Sequence, residues 1–301
     1  MKYKVFFIFL MGILFIPNFV LAVNQNTHSI KLEASSSQYA FITDANQTGL
    51  DLSGDLTLEA WVKFSSIGSN QVIMGKWGPN VRQYLITLVS TNKLRASFSD
   101  DGSESAGHIV SFTTNDVVIT NTNVWYHIAI TFDISEETCV IYINGSSVAN
   151  TKSGSIGNNL YNGTANFLIG QQNNVEYLNG LIDDVRVWND IRTPTEIADN
   201  YKKELVGNEA GLVGYWKFNN NAEDTTANNN DLTLANSPSY SSDYAFKYDP
   251  NPDPDPTPTS TEFISEDEFH IFNTLLLILV SIGIIDLIRR IFTPLDKRRG
   301  L

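Results

Sequence analysis

Between residues 28 and 246, apolar side chains recur at every second position in short runs, separated by Gly, Asn, Asp and Ser. Neighbouring side chains of a strand point to opposite faces, so each run carries one face to bury. LTLEAWVKF (56–64) sets Leu56, Leu58, Ala60, Val62 and Phe64 on one side. VWYHIAITF (124–132) does the same with Val124, Tyr126, Ile128, Ile130 and Phe132. TCVIYI (138–143) stops at Asn144-Gly145, the strongest short signal for a hairpin turn. Many such runs at short spacing predict an all-β fold, two antiparallel sheets packed as a sandwich. One helical stretch interrupts them. In TPTEIADNYKKEL (193–205), Thr193 can cap, Pro194 suits the first turn and Glu196 completes a capping box.

The ends of the chain follow other patterns. MKYKVFFIFLMGILFIPNFVLA (1–22) has a basic start, an apolar middle and a small-residue exit, the form of a signal peptide cleaved after Ala22. FHIFNTLLLILVSIGIIDLI (269–288) is apolar over the ~20 residues that span a bilayer's hydrocarbon core. Basic residues from Arg289 to Arg299 follow it, which predicts a single-pass transmembrane helix with a cytoplasmic tail (289–301) and all preceding residues outside the cell. Between domain and anchor, residues 249–268 alternate proline with polar and acidic residues. Such a segment favours extended polyproline II and makes a stalk. The expected domain is therefore residues 23–248, on the extracellular side of the cell membrane.

Composition narrows the chemistry. A formal charge of −13 argues against nucleic acid, which needs clustered Lys and Arg. Cys139 is the only cysteine, so no intramolecular disulfide forms and the core must hold the fold. Cys139 shares a face with Ile141 and Ile143, as a small buried apolar residue would.

LNGLIDDVRVWN (178–189) alternates like a strand but carries two adjacent aspartates. Strict alternation sets Asp183 with Leu181, Val185 and Val187 on the more apolar face, and Asp184 with Ile182, Arg186 and Trp188 on the other. A core-facing carboxylate needs either a metal or hydrogen-bond donors.

GDLTLEAWVKF, NVWYHIAITFD with CVIYING, and LNGLIDDVRVWNDIRTPTEI, in that order, resemble the laminin-G/pentraxin group of concanavalin A-like lectin and glucanase domains. LVGYWKFNNNAEDTTANNNDLTL (212–234) resembles a segment that usually stands at the N-terminal end of such domains. Its C-terminal place here requires the two termini to be adjacent strands. The resemblance covers residues 28–246 and implies a jelly-roll sandwich. It also implies a structural calcium ion, with Asp183 giving a side-chain oxygen and Gly54 a backbone carbonyl. An Asp183 that only accepts backbone N–H bonds is the equal alternative.

The resemblance leaves function open, since one fold carries lectins, adhesion modules and glycosidases. The Glu-x-Asp-x-x-Glu run of the related glucanases is missing, and His28, His108 and His127 are scattered. The expectation is a non-catalytic module that binds an extracellular glycan or protein, with a glycoside hydrolase of unrecognised site as the alternative. Candidate contacts are Trp77, in the loop GKWGPN, and Trp61 and Glu59 on the polar face of LTLEAWVKF.

Overall fold

The computed structural model describes residues 26–246. The first sheet runs β10 (Ser146–Val148), β9 (Thr138–Ile143), β8 (Trp125–Asp133), β3 (Leu56–Phe64), β13 (Gly180–Trp188), β1 (Ser29–Leu32) and β16 (Ser239–Ser241), with β14 (Leu212–Trp216) also paired to β13. The second runs β11 (Asn150–Ser155), β7 (Ile109–Thr114), β6 (Leu94–Ser99), β5 (Tyr84–Leu88), β4 (Gln71–Lys76), β12 (Phe167–Ile169), β2 (Tyr39–Ile42) and β15 (Thr233–Ala235). Neighbours in both sheets are antiparallel.

The inward faces meet as the alternation requires. Leu56, Leu58, Ala60, Val62 and Phe64 of β3 pack with Ile128, Ile130 and Phe132 of β8 in one core that both sheets share. Phe132 stacks on Phe98 of β6 with ring centroids 3.9 Å apart, and Trp216 of β14 stacks on Phe167 of β12. Cys139 joins this core, and burial pushes its thiol above the ordinary range. Val124 does not, because β8 starts one residue later and leaves it 44% exposed. Asn144 and Gly145 take φ of +51° and +79°, making the two-residue turn that joins β9 to β10.

The two ends of the domain are neighbours, since β1 pairs with β16. That adjacency is what the displaced 212–234 segment requires. Its strand β14 pairs with Val185–Trp188 of β13, on the edge where β1 pairs with Gly180–Ile182. The helix α1 (Pro194–Asn200) carries the capping box in full. It is shorter than the expected 193–205. The carbonyls of Asn200, Tyr201 and Lys203 accept hydrogen bonds from Arg186 and Trp61, side chains of the first sheet, so the chain leaves the helix along that sheet. Among the described residues no helix is long and apolar enough to cross a membrane. The signal, stalk and anchor expected from the sequence lie outside the described residues.

Candidate functional site

The polar face of β3 is not a binding surface. Helix α1 and the residues after it cover it, packing Ile197 against Ala129 and Tyr142. Glu59 is 2% and Trp61 6% exposed. Trp61 Nε1 donates to the Tyr201 carbonyl, and its ring stacks on Tyr201. Glu59 accepts from Trp188 Nε1 at 2.7 Å and lies 3.2 Å from His127 Nε2 and 3.6 Å from Arg186. Burial alone would raise the Glu59 carboxyl, but His127, Arg186 and Trp188 outweigh it and hold the group below the usual carboxylate range. Glu59 and Trp61 are thus parts of the helix's seat, and the expectation that they touch ligand is corrected. A polar strand face next to a helix reads like a solvent face in sequence.

The aspartate pair breaks the expected alternation as well. Asp183 stands opposite Trp61 and Arg186 opposite Glu59, so β13 spends one residue more than β3 over this interval. That residue forms a bulge, with Asp184 at φ of +48°. The bulge shifts the side-chain parity. Ile182, Val185 and Val187 all reach the core, while Asp183 falls in line with Trp61, and Asp184 with Arg186, on the outer side. The two aspartates do not face opposite ways.

Their partners differ nonetheless. Asp184 receives two hydrogen bonds from the Arg186 guanidinium, the shorter 2.6 Å. Asp183 fills the gap between β1 and β14, where its Oδ2 accepts from Asn26 Nδ2 at 2.7 Å and from the Ala245 amide at 3.0 Å. One carboxylate thereby joins both ends of the domain. Burial pushes the Asp183 carboxyl well above its ordinary range, with the Ala245 and Asn26 hydrogen bonds opposing.

Asp183 Oδ1 and Asn26 Oδ1 are buried and have no hydrogen-bond partner among the described residues. Two orphaned oxygens on hydrogen-bonded side chains fit calcium, which takes six to eight oxygens, carbonyls and waters included. Gly54 does not fit. It precedes β3 at the end away from Trp61, roughly 20 Å from Asp183 at ~3.3 Å per strand residue. Asn26 stands where the sequence reading put Gly54, and nothing in a lone Asn near a predicted cleavage site signals it.

Trp77 is well placed. It follows β4 and lines a cleft of about 370 Å³ on the outer side of the second sheet. Tyr39 and Phe41 of β2 and Leu168 of β12 line the same cleft, alternating along their strands with core residues Ala40, Ile42, Phe167 and Ile169. The Arg82 guanidinium lies over the Trp77 ring, 5.9 Å from its centroid. Asn166, Gln171, Asn173 and Asn174 contribute amides to the lining. Asn173 and Asn174 both take left-handed φ and turn the chain between Gln172 and Val175. Gln171 is 3% exposed and accepts from the Asn174 amide. Its Nε2 makes no hydrogen bond among the described residues. Tyr39 and Phe41 went unnoticed in SQYAFIT because that run is apolar on both faces, and alternation cannot say which face is outside.

One grouping joins residues that looked scattered. His108 Nδ1 lies 2.9 Å from Asp100 Oδ1 and 3.4 Å from Asp101 Oδ2 in the loop between β6 and β7. The Asp100 hydrogen bond raises the His108 pKa, and the ion pair accounts for the grouping without a further group.

Residues 34–198, more than half of the chain, match the family model described as the concanavalin A-like lectin/glucanases superfamily. The chain belongs to this superfamily. The matched stretch of this superfamily member begins just before β2 and ends within α1. It therefore holds every residue lining the cleft. Similar solved structures include a candidate carbohydrate binding protein from Bacteroides ovatus, 18% identical with a TM-score of 0.53, over 72% of this chain and 60% of that one. The chain thus spans less than two thirds of that protein. A heptameric SAP-like pentraxin from Limulus polyphemus is 13% identical with a TM-score of 0.51, over 73% of this chain and 96% of the other. At such identities the likeness is one of fold. No curated protein matches the chain.

Proposed function

We propose that the protein is a display module of the cell surface that binds glycan through the cleft beside Trp77 and does no catalysis. Residues 1–22 export it, the 249–268 stalk carries it outward, and the 269–288 helix holds it in the membrane. The observation that carries the binding reading is the cleft itself, where three aromatic rings stand among side-chain amides. Rings offer stacking surface to the C–H faces of sugars, and amides both donate to and accept from hydroxyls. A concave site of this volume suits a small ligand better than the broad surface of a protein partner. Glycosidases of the retaining kind set two carboxyls ~5–5.5 Å apart across the bond, and no carboxylate lines the cleft. Membership in a superfamily of lectins and glucanases supports both parts of the reading.

Calcium, where bound, is structural in this reading: Asp183 and Asn26 hold it and thereby pin the ends of the domain to β13. The test is a glycan array probed with the full-length protein in detergent, with hydrolysis products assayed in parallel. Retention on glycans without products is the expected outcome. Product formation would overturn the non-catalytic reading, and an array with no retained glycan would overturn the ligand class.

A further inference from the structure

The lining of the cleft has a property that the rest of the molecule does not share: none of its side chains is acidic or basic, in a chain of 33 acidic and 20 basic residues. The charges nearest to it are consumed elsewhere. Lys76 precedes Trp77 but turns inward, fully buried, with its ammonium on Asp44 at 2.7 Å and on Asp51. Arg82 pairs with Glu104 while lying over the Trp77 ring. Glu176, beyond the Asn173-Asn174 turn, accepts from Asn70 at 2.7 Å and from Gln172. Asp44 gives its backbone amide to Asn166 Oδ1 at 3.1 Å, which orients that carboxamide at the rim.

Resting on the glycan reading above, we propose that the cleft takes a neutral oligosaccharide of one or two bound rings, without calcium. A sulfated, sialylated or uronic sugar would lose the hydration of its anion and find no cation in the lining. A neutral ring loses no such hydration. It meets rings for its faces and amides for its hydroxyls. Gln171 decides orientation, because a nearly buried amide with unused donors costs free energy until a ligand hydroxyl accepts from it. Calcium has no part in the contact, since Asp183 and Asn26 belong to the first sheet and its edge while the cleft lies on the outside of the second.

The experiment titrates full-length protein in detergent with neutral trisaccharides of glucose, galactose, mannose and xylose, and with trigalacturonate and sialyllactose, each in calcium and in chelator. At least one neutral sugar should bind, with an affinity equal in both buffers and little changed by salt. Trp77→Ala should weaken it roughly tenfold or more, as loss of a central aromatic contact does. Gln171→Ala and the exposed Asn173→Ala should weaken it less, and unchanged thermal unfolding of Asn173→Ala guards against misfolding. Binding confined to the acidic sugars, or lost in chelator, would overturn this inference and leave the glycan reading standing. Failure of every sugar to bind would overturn both.

Discussion

Asp184 takes a left-handed φ in the middle of a strand, and that one residue decides where two carboxylates point. Without the bulge Asp183 would be a core residue; with it, Asp183 stands where the termini of the domain meet. Its folded-state pKa is raised by burial, so the native chain holds the proton more tightly than the unfolded one. The stability it contributes is then full below the unfolded value of about 3.9 and is lost as pH rises through the folded value. In chelator the melting temperature of the parent should fall over that rise relative to Asp183→Asn, whose side chain does not titrate; parallel curves would remove the effect. At neutral pH calcium a hundredfold above its Kd should add about 2.7 kcal/mol to the parent and nothing to Asp183→Asn, measured as a shift in melting temperature. Asp184→Asn behaves differently. It leaves the buried Arg186 guanidinium short of a charge partner, so it should cost roughly 3–5 kcal/mol in urea unfolding whether or not calcium is present.

Helix α1 shows what an element contributes beyond its own seven residues. Its capping box was legible because Thr193 and Glu196 stand at the spacing that satisfies two orphan N–H groups. Its end was not legible, because Arg186 and Trp61, remote in sequence, take the carbonyls there. Nor could its landing place be read, and so Glu59 and Trp61 looked like a ligand face. Thr193→Ala should cost about 1 kcal/mol, visible as a lower urea midpoint at unchanged slope. A substitution without effect would mean that the seat on β3, β8 and β9 holds the helix unaided.

For the whole molecule, the sandwich is an arrangement that puts its structural charges and its candidate ligand surface on different sheets. The buried Glu59–His127–Arg186–Asp184 group lies under the helix on the first, and the aromatic cleft lies on the second. The domain also delivers its C-terminal end next to its N-terminal one, through β16 on β1. Protease added to intact cells should release a soluble fragment ending within residues 249–268 and leave the 289–301 tail protected, as read by mass spectrometry. Digestion of the tail would reverse the topology.

The sequence by itself determined the strands, their buried faces, the Asn144-Gly145 turn and the helix start, because each depends on residues a few positions apart. It also carried enough of the superfamily's blocks to name the fold. The tertiary structure decided everything that turns on which face meets what. A bulge moved Asp183 to the outer side, a helix buried Trp61 and Glu59, and β2 brought Tyr39 and Phe41 beside Trp77, which lies more than thirty positions away in sequence. Local patterning reports that a face is polar or apolar; whether solvent, a helix or a ligand will cover it depends on packing between residues far apart in the chain.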